Sequence, residues 1–237
     1  MIRFVCFSVA AFAALAFAAE PAGAHFVYLK QSAGANATKA EGFFGHAPEP
    51  AEPRLLANLE GLEVWWTPAK GERTLVPLSL SGDRMVGSAP AGPGTLTAKR
   101  PPRVREREGV TYRSVGYAQA APPLESGANV TVPAEIRPDL ELQAGLRNGK
   151  LSVTALWKGK PLPHAEFSST LPGQAAIYVS TDEHGSAEFE LNEPGFIHLH
   201  VQHVVPGEGE LDGEKFTETR HNATLVVETA GKSDASR

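Results

Sequence analysis

The chain has one cysteine among 237 residues, Cys6, and it lies inside an apolar run from Phe4 to Ala19. Arg3 precedes the run, and Pro21-Ala22-Gly23-Ala24 follows it with small residues at the spacing of a signal-peptide cleavage site. We therefore expect residues 1–24 to be a signal peptide, cleaved between Ala24 and His25. The run is shorter than the roughly 20 apolar residues of a membrane helix, and no charged stop-transfer flank follows it. Its removal takes the cysteine with it, which excludes disulfides, thiolate metal centres and cysteine nucleophiles from the exported chain. No later stretch is apolar enough to span a bilayer. The expectation is a soluble protein, periplasmic or secreted.

Positive charge is also in short supply. The formal net charge is −5 at neutral pH, which argues against nucleic acid as a partner. One basic cluster exists, Lys99, Arg100, Arg103, Arg105 and Arg107, but Pro101, Pro102, Glu106 and Glu108 interrupt it, so it reads as a solvated loop. Catalytic patterns are missing as well: no G-x-S-x-G elbow, no H-E-x-x-H and no glycine-rich phosphate loop opening a helix. The chain is expected not to be an enzyme.

What is present is short, alternating apolar segments punctuated by 23 glycines and 19 prolines. Leu62-Glu63-Val64-Trp65-Trp66, Leu151 to Trp157 and Ala187 to Leu191 show the period of two expected of strands. The only helical fragment, Pro53 to Leu59, is worth a turn or two. Proline-rich chain at Ala121-Pro122-Pro123 and from Val132 to Pro138 reads as a linker. The fold class is therefore all-β, with two β-sandwich-like domains: an N-terminal one over 25–133 and an immunoglobulin-like one of about seven strands over 134–229. A disordered tail is expected at 230–237. Thr181-Asp182-Glu183-His184-Gly185 reads as a hairpin turn.

Without cysteine, metal chemistry falls to eight histidines. His25 would open the processed chain, where its α-amine and imidazole can chelate one Cu(II) or Ni(II) ion. Val27 holds the third position, so an X-X-His motif is absent and a second contributor must come from elsewhere in the fold. From Gly195 to His203 the chain reads as a strand, with His198 and His200 on one face and His203 on the other. A last strand from about Lys215 to Val227 places His221 on its apolar parity. A hairpin through Pro206 to Gly213 would bring His203 and His221 together on the buried face. A buried imidazole needs partners for both nitrogens, from protein or from a metal. His46, His164 and His184 read as exposed loop residues.

Several phrases resemble a family of exported bacterial proteins labelled nickel or cobalt uptake periplasmic components. They are Ala24-His25-Phe26-Val27-Tyr28-Leu29, His203-Val204, Pro206-Gly207-Glu208, Leu211 to Phe216 and Arg220 to Leu225. Gly159 to Pro163, Thr181 to Gly185 and Phe189 resemble that family's immunoglobulin-like C-terminal half. Asn222 stands where an aromatic would be more typical, and His164 where a small turn residue would. The resemblance implies a role in divalent-metal handling and points to His25, His203 and His221; together with the strand reading, the expectation is a divalent transition metal (Ni, Co or Cu) bound through these three, with His198 and His200 in reserve. It also suggests a membrane metal transporter as partner. The competing expectation is a metal-free cell-envelope module that binds protein or glycan through its immunoglobulin-like half.

Overall fold

The computed structural model describes residues 25–50, 52–132 and 137–229. The expected signal peptide, the tail 230–237 and the boundary at 133/134 lie outside the described residues.

The fold is all-β. Strands β1 (Phe26–Ala33) and β2 (Ala37–Gly45) form a hairpin, and a 3₁₀ helix, Pro53–Leu59, follows. Proline at its start sets φ at no hydrogen-bond cost, while Leu56 and Leu59 are its buried residues. Next come β3 (Glu63–Pro68), β4 (Thr74–Leu75), β5 (Ser79–Ser81), β6 (Arg84–Pro90), β7 (Gly94–Arg107) and β8 (Val110–Ala120). The second half holds β9 (Asn129–Val130), β10 (Leu140–Arg147), β11 (Lys150–Trp157), β12 (Lys160–Pro161), β13 (Glu166–Thr170), β14 (Ile177–Ser180), β15 (Ser186–Glu190), β16 (Gly195–Leu211) and β17 (Glu214–Thr229).

In the second half, β10, β11 and β15 form one sheet, and β14-β13-β16-β17 is the run of strands facing it. That is the immunoglobulin arrangement, with the A-B-E strands on one layer and C′-C-F-G on the other. Inward-facing Leu142, Val153, Phe167, Leu199 and Leu225 fill the space between them. The first half closes a second core of Val27, Leu29, Val64, Trp66 and Leu96 beneath the sheet β1-β2-β6-β5. At about 1.5–3 kcal/mol for each large apolar side chain taken fully out of water, these two cores supply the main driving force.

The halves are not joined by a free linker. Strand β17 pairs antiparallel with β16 on one edge and parallel with β8 on the other, from Glu218↔Tyr112 to Val226↔Ala120. One eight-stranded sheet, β14-β13-β16-β17-β8-β7-β3-β4, therefore runs through both halves. The proline-rich connection is extended, but it is packed: Ala121, Leu124, Val130 and Val132 are all buried, and the Leu124 amide donates to the Glu228 carbonyl at 2.7 Å.

The basic cluster is corrected too. It is not a loop but the outer part of β7, which continues past a bulge between Arg100 and Arg103. Strand β3 pairs with β7 only as far as Lys99. Pro101 and Pro102 thus fall where β7 has lost one neighbour and its register shifts, a place where missing N–H groups cost little.

Gly94 marks a close approach. A methyl group at its Cα would lie 2.5 Å from Cζ2 of Trp66 and 2.7 Å from the Thr67 carbonyl oxygen. Gly94→Ala should destabilise the fold by about 1–3 kcal/mol. A urea midpoint equal to that of the wild type would show that the Trp66 ring gives way more easily than its burial implies.

Candidate functional site

Cα partners across a sheet share a face, so the pairing sorts the histidines. The row Gln202↔Asn222↔Gly116↔Arg100 faces the β1-β2 hairpin, and His198 and His200 share its parity on β16. The adjacent row, His203↔His221↔Val115, faces the immunoglobulin-like layer. His203 and His221 do pair, as the hairpin pattern anticipated. Their rings each lie 4.5 Å, centroid to centroid, from Trp157. The buried His221 Nδ1 is 3.4 Å from the Tyr117 hydroxyl, which donates to Asp139 at 3.3 Å. Burial, with smaller contributions from Arg113, His203 and Lys158, outweighs the opposing effect of Asp139 and lowers the His221 pKa to about 4. Burial lowers that of His203 as well.

On the other face, the His200 ring stacks on Phe26 with centroids 3.5 Å apart, and His198 meets the edge of Tyr28 at 5.7 Å. Asn222 Oδ1 lies 3.2 Å from His200 Nε2 and accepts a hydrogen bond from Gln202 at 3.0 Å. In the neutral tautomer with Nε2–H, that nitrogen donates to Asn222 Oδ1. Burial lowers its pKa to about 4 despite the Asn222 contact, and burial also lowers that of His198. These two histidines pack the seam between β16 and β1, so they do not present two free imidazoles to one ion.

His25 lies on this second face, in a cleft it shares with Arg100, Gly116, Gln202 and Asn222. The eight-stranded sheet separates it from His203 and His221, which corrects the expected pocket of His25, His203 and His221. The reason is parity: a one-residue step along β16 or β17 moves a side chain to the opposite face. Among the described residues, no group of three or more histidine, cysteine, aspartate or glutamate side chains could hold a metal ion.

The histidine that His25 does meet is His46. The hairpin register pairs Phe26 with Gly45, and one step further out stand His25 and His46, with ring centroids 4.4 Å apart. The Tyr28 hydroxyl donates to the His46 carbonyl at 3.0 Å and ties the chain leaving β2 to β1. Phe44 lies 6.0 Å from His25 and stacks with it, giving the ring an apolar backing. Both histidines are exposed. His46 agrees with the sequence in exposure, but its partnership escaped notice, because the pairing follows from a β1-β2 register that neither segment states alone.

Comparison with known proteins adds little here. No protein-family profile matches the chain, and no curated protein sequence is similar to it. Among solved structures, the D0-D1 domain of Intimin aligns over 85% of this chain and 96% of that one, at 14% identity and a TM-score of 0.22. Among the described residues no helix is long and apolar enough to cross a membrane.

Proposed function

We propose that this is an exported protein that binds one divalent transition-metal ion, Cu(II), Ni(II) or Co(II), through His25 and His46, in metal uptake or handling. The observation that carries the reading is the 4.4 Å separation of the two rings. Two nitrogens on one ion lie no more than about 4 Å apart, so both imidazoles can reach a shared metal. Cleavage before His25 would add its α-amine, making three nitrogens. That donor set suits Cu(II) and Ni(II), with Cu(II) favoured on intrinsic affinity. The resemblance to nickel and cobalt uptake components supports the same class of cargo. A membrane metal transporter is the partner such a role requires.

The test uses the full chain expressed in an exporting cell, with the start of the recovered protein read by mass spectrometry. Protein beginning at His25 should bind one equivalent of Cu(II) or Ni(II) by titration. His46→Ala should weaken that binding by about 100-fold, in the range that lost metal-site partners cost. The double variant H203A/H221A should bind as the wild type does. The proposal fails if no metal binds above background, or if H46A retains full affinity.

A further inference from the structure

Beside His25 the cleft deepens to a volume of about 540 Å³, within the range of small-molecule sites. Its charge is one-sided: Arg100, Arg105, Arg107 and Arg220 line it, against a single carboxylate, Glu106. Most of these arginines have partners. Arg220 pairs with Glu218 at 2.6 Å, Arg107 with Glu108 at 3.2 Å, and Arg105 donates to Asn58 at 3.0 Å.

Arg100 differs. It is 5% exposed, and among the described residues no carboxylate lies within ion-pair distance of it. Its Nη2 donates to Ser114 Oγ at 3.0 Å, and its Nε has no hydrogen-bond partner among the described residues. The guanidinium lies 5.2 Å from the Phe44 ring centroid, over Gly116, whose missing side chain leaves it room. A buried charge with no counter-ion is costly. Burial, with Arg105 and Arg103 nearby, lowers its pKa to about 10, which leaves it charged at neutral pH.

We propose that this cleft binds a small organic anion whose carboxylate supplies the counter-ion that Arg100 lacks. A planar carboxylate matches the guanidinium fork. Ser114 accepts from Arg100, so its own hydroxyl hydrogen is free to donate to the second carboxylate oxygen. Phe26, Val27, Phe44 and Leu55 give the cleft an apolar wall, which suits a carbon body better than a bare inorganic oxyanion. The site does not depend on the metal at His25.

The test uses the full chain as recovered from the exporting cell, stripped of metal with a chelator. Benzoate, succinate, inorganic phosphate and sulfate are titrated at fixed ionic strength by calorimetry and by thermal melting. At least one carboxylate should bind saturably and, at about 100 times its Kd, raise Tm by about 5–10 °C. Phosphate and sulfate should bind at least tenfold more weakly. Arg100→Met should weaken carboxylate binding by about 100-fold, while melting no lower than the wild type in anion-free buffer. Ser114→Ala, which leaves the charge in place, should weaken it by about tenfold. The inference is overturned if neither carboxylate binds saturably, if phosphate or sulfate matches them, or if R100M and S114A bind as the wild type does.

Discussion

Acidification from pH 6.5 to pH 4 should remove several kcal/mol of folding stability, with two buried imidazoles responsible for most of the steepness. His200 and His221 are 9% and 6% exposed, and burial lowers both to a pKa of about 4 from the 6.5 of a free histidine. A group that titrates lower when folded takes up its proton first in the unfolded chain. The stability it supports is complete above pH 6.5 and drains away as pH falls toward 4. Each such histidine tilts the balance by about 1.4 kcal/mol per pH unit inside that window, or roughly 3 kcal/mol across it. For His200 the cause is burial between Phe26 and Asn222, where among the described residues no carboxylate opposes it. For His221 it is the enclosure by Trp157 and Tyr117, only partly relieved by Asp139. Urea midpoints measured from pH 7.5 to 4 should fall steeply, and His200→Gln should make the fall distinctly shallower. A flat profile, or an H200Q profile with the wild-type slope, would show that these rings find solvent.

Phe167→Ala should destabilise the fold by about 3–5 kcal/mol. Phe167 is wholly buried, meets Phe189 edge to face at 6.3 Å, and sits on β13 opposite Val201 of β16. Losing the ring removes apolar burial and leaves a cavity between the two immunoglobulin-like layers, where packed strands on both sides limit collapse. Denaturation followed by circular dichroism checks this. A loss below about 1 kcal/mol would mean that the layers close over the gap.

Much of the architecture was legible in local pattern. Period-two segments yielded the strands, Pro53 to Leu59 its short helical piece, and Thr181 to Gly185 a real turn: Asp182 accepts from the amides of His184 and Ser186 at 2.8 and 2.9 Å. The opposite faces of His200 and His203 followed from strand parity, and the meeting of His203 with His221 from parity together with the hairpin expected through Pro206 to Gly213. What escaped was non-local. Which sheet covers which face of β16 depends on β8 and β17 meeting across more than a hundred residues, as in Val115↔His221. That contact decides that His25 and His221 lie on opposite faces. The partnership of His25 with His46 needed a register, and the isolation of Arg100 needed a census of carboxylates in space. Arg100 looked like one more solvated charge in a run of them, because the run does not show that the strand of Leu96 and Ala98 continues into it and puts Arg100 on their buried parity.

The parallel docking of β17 on β8 has a consequence for how the polypeptide reaches this shape. Strand β17 pairs with β16 on one edge and with β8 on the other, and it follows both in chain order. Until it arrives, β8 and β16 each offer an unzipped edge, the kind of surface that recruits strands from other molecules. Each half therefore keeps one open edge until β17 docks, and a single strand seals both at once.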